Sequence, residues 1–155
     1  MSTLNIGDLA PTFSAESTLG PINSTDTLNN WFVLYFYPKD NTPGCTTETS
    51  DFRDLHEKFR LAGCYLAGVS RDSLKSHQSF SAKLGLPFAL IADIDEKICT
   101  MFDVIKMKNM YGKQVRGIER STFLIDRQGR LAYAWRGVKV AGHAQEVLQT
   151  IHDLA

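Results

Sequence analysis

Of the three cysteines in the sequence, Cys45, Cys64 and Cys99, one has neighbours suited to nucleophilic chemistry. It lies in Tyr37-Pro-Lys-Asp-Asn-Thr-Pro-Gly-Cys-Thr-Thr-Glu48, where an apolar run stops at Pro38, turn-forming residues follow, and Cys45 opens a segment of helical periodicity. At a helix N-terminus the free amide N–H groups and the positive end of the helix dipole favour thiolate over thiol, as does a nearby cation. Thr42, three residues earlier, carries a hydroxyl able to reach the same space. Cys45 precedes Phe52 by two helical turns, so its sulfur should face inward, into a small pocket. A thiolate lined by Thr42, backbone amides and a guanidinium suits attack on a small electrophile that leaves as an anion, and hydrogen peroxide fits that description. A packing role fits poorly, because a small apolar filler has no use for so many polar neighbours.

Other reactive patterns are missing. The sequence has no Gly-x-Gly-x-x-Gly, and Gly112-Lys113 lacks the upstream glycine of a phosphate loop because Met107 stands there. Gly68-Val-Ser70 resembles a nucleophile elbow until Asp72 takes the place of the second glycine. The histidines, His56, His77, His143 and His152, lie far apart, and there is no Cys-x-x-Cys, so surface or packing roles are expected for them and no metal or cofactor is implied. The spacing of Asp93 and Glu96 reads as a helix capping box, not as an acid and base pair.

The elements that must position Cys45 are legible. Trp31 to Tyr37 is an unbroken apolar run stopped by Pro38, as expected of a central strand covered on both faces. Phe52, Leu55 and Phe59 share one face of a helix from Cys45 to Leu61. Tyr65–Val69 reads as a strand, 72–84 as a helix, Phe88–Ala92 as a strand, and the capping box as the start of a helix through Phe102. Residues 121–126 and 130–135 flank Arg127-Gln-Gly129 as a hairpin, and a last helix covers 142–154. A short hairpin within 11–23 precedes the first strand. A βαβ unit followed by a ββα unit is the thioredoxin arrangement: an α/β fold whose central mixed sheet is flanked by helices, with a catalytic cysteine where the first βα loop enters its helix.

With 155 residues and 17.3 kDa, the chain reads as a single domain spanning residues 1–155. Its 17 basic and 17 acidic residues cancel, which makes nucleic acid a poor partner. Residues 104–140 nevertheless hold nine Lys/Arg against Glu119 and Asp126, read as a solvated strand-and-loop surface. The longest apolar stretch is far below the roughly 20 residues of a membrane helix. With no signal-like N-terminus and an odd number of spaced cysteines, a cytoplasmic location is expected.

Pro38-x-x-x-Thr42-x-x-Cys45 resembles the active-site motif of the peroxiredoxins. The longer run from Pro38 to Thr46 is similar to the form found in the peroxiredoxin Q group, also called bacterioferritin comigratory proteins. Further likeness lies in Gly-Val-Ser-Arg-Asp72, Phe-Asp-Val104, Arg120-Ser-Thr-Phe-Leu-Ile-Asp126 and the stretch from Trp135 to His143. The resemblance implies a thiol peroxidase with Cys45 as the peroxidatic cysteine, Thr42 bonding the incoming oxygen, Pro38 shielding the thiolate and Arg120 stabilising developing charge. It also implies Glu48 as a support for Arg120, a peroxide substrate, thioredoxin or glutaredoxin as reductant, and a monomer.

The departure from the group concerns the second cysteine. Ser50 stands where many members have a resolving cysteine. Ser76-His-Gln-Ser-Phe-Ser-Ala-Lys83 matches a second subgroup except that Ser81 replaces its resolving cysteine. An engineered replacement and a natural one-cysteine enzyme both fit that substitution. Cys64 and Cys99 read as core residues. Two rivals stand beside the peroxidase. A thiol-disulfide oxidoreductase needs a second thiol at the spacing that Thr42 occupies. A binding module would use the basic 104–140 surface and leave Cys45 idle.

Overall fold

The computed structural model describes residues 4–155. The chain runs β1 (Ser14–Ala15), β2 (Ile22–Asn23), β3 (Trp31–Phe36), α1 (Pro43–Leu61), β4 (Cys64–Ser70), α2 (Leu74–Leu84), β5 (Ala89–Ala92), α3 (Lys97–Met101), β6 (Ile105–Met110), β7 (Lys113–Ile118), β8 (Ser121–Ile125), β9 (Leu131–Arg136) and α4 (His143–Leu154). Five strands form the central sheet in the order β5-β4-β3-β8-β9. β3, β4 and β5 are parallel, whereas β8 runs antiparallel to both β3 and β9. This is the mixed sheet expected from the βαβ and ββα pattern, and β1 with β2 supplies the N-terminal hairpin.

The unbroken apolar run of β3 follows from its place at the sheet centre. Successive side chains alternate between faces. Trp31, Val33 and Tyr35 pack with Phe52 and Phe59 of α1, Phe80 of α2, and Val147 and Ile151 of α4. Phe32, Leu34 and Phe36 join Ile98, Cys99 and Phe102 in and beside α3 on the opposite face. With both faces covered, all six residues of β3 are buried. Gly68 of β4 is required by a close approach: a Cβ there would lie 2.7 Å from the ring of Tyr35, its partner in register.

One expectation is corrected. Asp93 does cap α3, its carboxylate accepting from the amides of Ile98 and Cys99, but Glu96 does not complete a capping box. Glu96 adopts a left-handed backbone (φ 62°) and turns its carboxylate to Arg71 and Arg116, two cations the capping reading did not consider. The basic 104–140 stretch contains a regular hairpin, β6–β7, closed by Tyr111 and Gly112 at positive φ. Its strands are mostly exposed, with Met107, Met110, Tyr111 and Val115 open to solvent, so no buried face imprints an apolar alternation on the sequence. Among the described residues, no helix is long and apolar enough to cross a membrane.

Candidate active site

β3 ends at Phe36 and α1 begins at Pro43, so the short loop between them delivers Cys45 to the first turn of a 19-residue helix. Pro43 occupies the first helical position, where its missing N–H costs nothing. Thr42 is the N-cap residue, yet its side chain makes no cap hydrogen bond, and the hydroxyl donates to the Lys39 carbonyl at 2.8 Å. The opening turn of α1 therefore keeps its amides free of a side-chain cap beside the thiol. As the spacing to Phe52 requires, the sulfur faces inward: Cys45 is 1% exposed and belongs to the same apolar cluster as Tyr35, Phe52 and Phe59.

Arg120 reaches this sulfur because of strand register. Ser121 pairs with Phe36, so the residue before β8 lies level with the start of the active-site loop. The guanidinium then forks. Nη2 donates to Cys45 Sγ at 3.2 Å and Nη1 to Glu48 Oε1 at 2.6 Å. Cys45 and Glu48 are one helical turn apart on the same face of α1, which suits the planar spread of a guanidinium. Gly44 leaves room for it, since a Cβ there would come within 3.2 Å of Nη2. Burial works against the charge on Arg120, but Glu48 and Cys45 more than offset it, and the guanidinium is held more firmly protonated than usual. Lys108, half-buried and donating to the Ile118 carbonyl, brings a second cation into the field of Cys45.

Glu48 is 1% exposed, and its Oε2 has no hydrogen-bond partner among the described residues. Burial pushes its carboxyl up to about 7 despite the opposing pull of Arg120. Between about 4.5 and about 7 the folded protein thus holds a proton that the unfolded chain releases, so this group's contribution to stability is lost as pH rises through that window. Glu48→Gln removes the titration. Melting temperatures on either side of the window should show the wild type losing more stability than the variant as pH rises, and equal losses would remove Glu48 as the titrating group.

The remaining expected residues fall as follows. Pro38 is half-buried at the end of the Trp31–Tyr37 run, beside the loop. Ser81 lies partly buried on α2, a separate element from the one that carries Cys45. All three cysteines are free and buried. Burial raises the Cys64 thiol to about 12. It raises Cys99 further still, with Asp93 adding to the effect. Both read as the core residues their sequence contexts suggested. A cavity of about 540 Å³ beside the N-terminal ends of β3 and β4, lined by Phe32, Cys64, Leu66 and Phe88, contains none of the residues around Cys45.

Sequence reasoning missed a buried polar network beneath the loop. Asp40, 4% exposed, accepts from Tyr37 Oη at 2.7 Å and Ser76 Oγ at 2.8 Å, and its carboxylate lies 2.8 Å from His77 Nδ1. The Asp40 amide donates to Asp72, which also accepts from Ser70 Oγ. Asp40, Asp72 and His77 sit close enough to share a cation, but their ligand atoms already face protein partners. The available signal was the Ser-Arg-Asp72 and Ser76-His77 motifs, whose polar residues had no assigned partner. His143, also buried, meets Thr122 Oγ1 at 2.7 Å and stands edge-on to Phe52 and Trp135. Burial lowers it to about 4, leaving it neutral behind the site.

The model of the AhpC/TSA family matches residues 6–134. The chain belongs to that family. It is 48% identical to peroxiredoxin Bcp of Bacillus subtilis over 99% of this chain and 98% of that one. Identity to peroxiredoxin Bcp of Xanthomonas campestris is 61%, over 79% and 76% of the respective chains. Among solved structures, a cysteine-to-serine variant of Xanthomonas campestris peroxiredoxin Q superposes with a TM-score of 0.91 at 51% identity, covering 98% of both chains. These likenesses make it a thioredoxin-fold peroxiredoxin of the Bcp and PrxQ kind, an enzyme that reduces hydroperoxides at the expense of thiols.

Proposed function

We propose that the peroxidase reaction takes place at Cys45. The sulfur attacks one peroxide oxygen as thiolate, the S–O bond forms as the O–O bond breaks, and the second oxygen leaves as hydroxide or alkoxide and takes up a proton. The observation that carries this reading is the forked guanidinium of Arg120, fixed on Glu48 and bonded to Cys45 Sγ. A positive charge so held stabilises both the attacking thiolate and the departing oxyanion without reorganising. Thr42, whose hydroxyl proton is spent on the Lys39 carbonyl, has its oxygen free to accept from the peroxide O–H. Pro38 limits water at the sulfur.

Ser81 occupies the resolving position. The cysteine-to-serine variants named for Xanthomonas campestris peroxiredoxin Q lie at the same separation in sequence as Cys45 and Ser81, which supports this assignment. Thioredoxin or a glutaredoxin then reduces the sulfenic acid directly, and the enzyme works as a cytoplasmic monomer. Stopped-flow mixing of reduced protein with peroxide should give rapid, stoichiometric sulfenic acid at Cys45. Mass spectrometry should find sulfenic acid, and sulfinic acid at high peroxide, in place of an internal disulfide. A Cys45–Cys64 or Cys45–Cys99 bridge would show that another residue resolves, and absence of sulfenic acid would remove the reaction from Cys45.

A further inference from the structure

The network under the active-site loop joins two parts of the molecule that the reaction uses at different times. Asp40 lies between Pro38 and Thr42. Ser76 and His77 belong to the first half of α2, and Ser81 follows His77 by one helical turn on the same side of that helix. Three donors converge on the Asp40 carboxylate: the Tyr37 hydroxyl from the end of the β3 run, and the Ser76 hydroxyl and His77 Nδ1 from α2. The other ring nitrogen, Nε2, lies 3.0 Å from the Ile91 carbonyl of β5. The imidazole therefore spans the loop carboxylate and the β5 backbone, one ring nitrogen against each. Histidine is the side chain that can hold α2 against β5 with one edge and the loop with the other, and at 0% exposure water does not compete for either bond. The loop amide at Asp40 is tied separately to Asp72.

We infer that His77 is a positioning residue for the peroxidase reaction: through Asp40 it latches the active-site loop to α2, holding Thr42 and Cys45 in the attacking arrangement until the latch opens for the sulfenic acid to be resolved. The second half of this inference rests on reading Ser81 as the resolving position, and the first half does not. The bonds that align the loop also pin the first half of α2, the helix that carries position 81 one turn further on. Loop and helix are released together, at the stage when the sulfenic sulfur must become accessible. In that step an incoming thiol forms the S–S bond as the S–O bond breaks, and the oxygen departs as water with the thiol's proton.

The latch makes two steps respond in opposite directions, which loss of general support would not do. In His77→Gln, which keeps a polar side chain but cannot span the Asp40 and Ile91 contacts as the ring does, the rate of Cys45 oxidation by hydrogen peroxide should fall on the order of tenfold, the scale of one charge-assisted hydrogen bond. Capture of the sulfenic acid by dimedone, a small carbon nucleophile, should speed up by a similar factor. In the Ser81→Cys background, disulfide formation with Cys45 should also be faster with His77→Gln than without it. Ser76→Ala, which removes one donor to Asp40, should show the same opposite signs to a smaller extent and serves if His77→Gln fails to fold. Both steps slowing together, or neither changing, would overturn the latch. If Ser81→Cys with His77 intact forms no disulfide, the assignment of Ser81 falls, while the oxidation and capture rates still decide the latch.

Discussion

Cys45→Ser should reduce peroxide consumption to the uncatalysed background, while Cys64→Ser and Cys99→Ser should leave it near the wild-type rate. The expectation rests on which sulfur can be an anion and which has a cation to attack beside. A serine hydroxyl does not ionise near neutral pH, so the variant keeps the guanidinium and loses the nucleophile. Neither remaining thiol can substitute. Cys64 is raised to about 12 by burial at the start of β4, and Cys99, under α3, is raised further by burial and by Asp93. The fold should survive, since serine is close to cysteine in size and its oxygen can accept from Arg120 in place of sulfur. Initial rates of peroxide loss, with circular dichroism to confirm folding, check the result. A Cys45→Ser protein that retains most of the rate would place the chemistry elsewhere.

How much of this site could be read from the sequence depends on the kind of interaction that builds it. β3 was legible because burial on both faces leaves an unbroken apolar run, and α1 because Phe52, Leu55 and Phe59 recur at helical spacing. Cys45 was legible from its turn residues and helical start, and Arg120 from a motif whose register with β3 only the structure displays. Buried polar pairs left no such trace. Asp40 meets His77 and Ser76 across 37 and 36 residues of chain, and periodicity carries no information about which distant donor an aspartate finds. The β6–β7 hairpin escaped for a related reason: its strands pair with each other and expose most of their side chains, so the apolar alternation goes no further than Ile105-Lys-Met-Lys108. Glu96 shows the same limit, because its spacing from Asp93 satisfied a local rule while Arg71 and Arg116 drew its carboxylate away.

Arg120→Met should slow the reaction of Cys45 with peroxide by about 10²–10³-fold, the usual consequence of removing one preorganised donor from a developing anion. The loss has two parts that can be separated. Removing the guanidinium takes away the donor held against Cys45 Sγ, and alkylation of Cys45 by iodoacetamide at fixed pH reports its effect on the attacking sulfur without involving an oxyanion. It also removes the stabilisation of the leaving oxygen, which only the peroxide reaction reports. The peroxide rate should therefore fall by a larger factor than the alkylation rate. Arg120→Lys should recover little of it, since a single ammonium cannot reach Cys45 Sγ and Glu48 Oε1 as the two nitrogens of the guanidinium do. Folding should persist in Arg120→Met because Glu48, whose carboxyl is already raised to about 7, can hold a proton when its counter-charge is gone, and adding Glu48→Gln removes that demand altogether. Equal losses in the two assays would confine the guanidinium to supporting the attacking sulfur, and unchanged rates in both would exclude Arg120 from the chemistry.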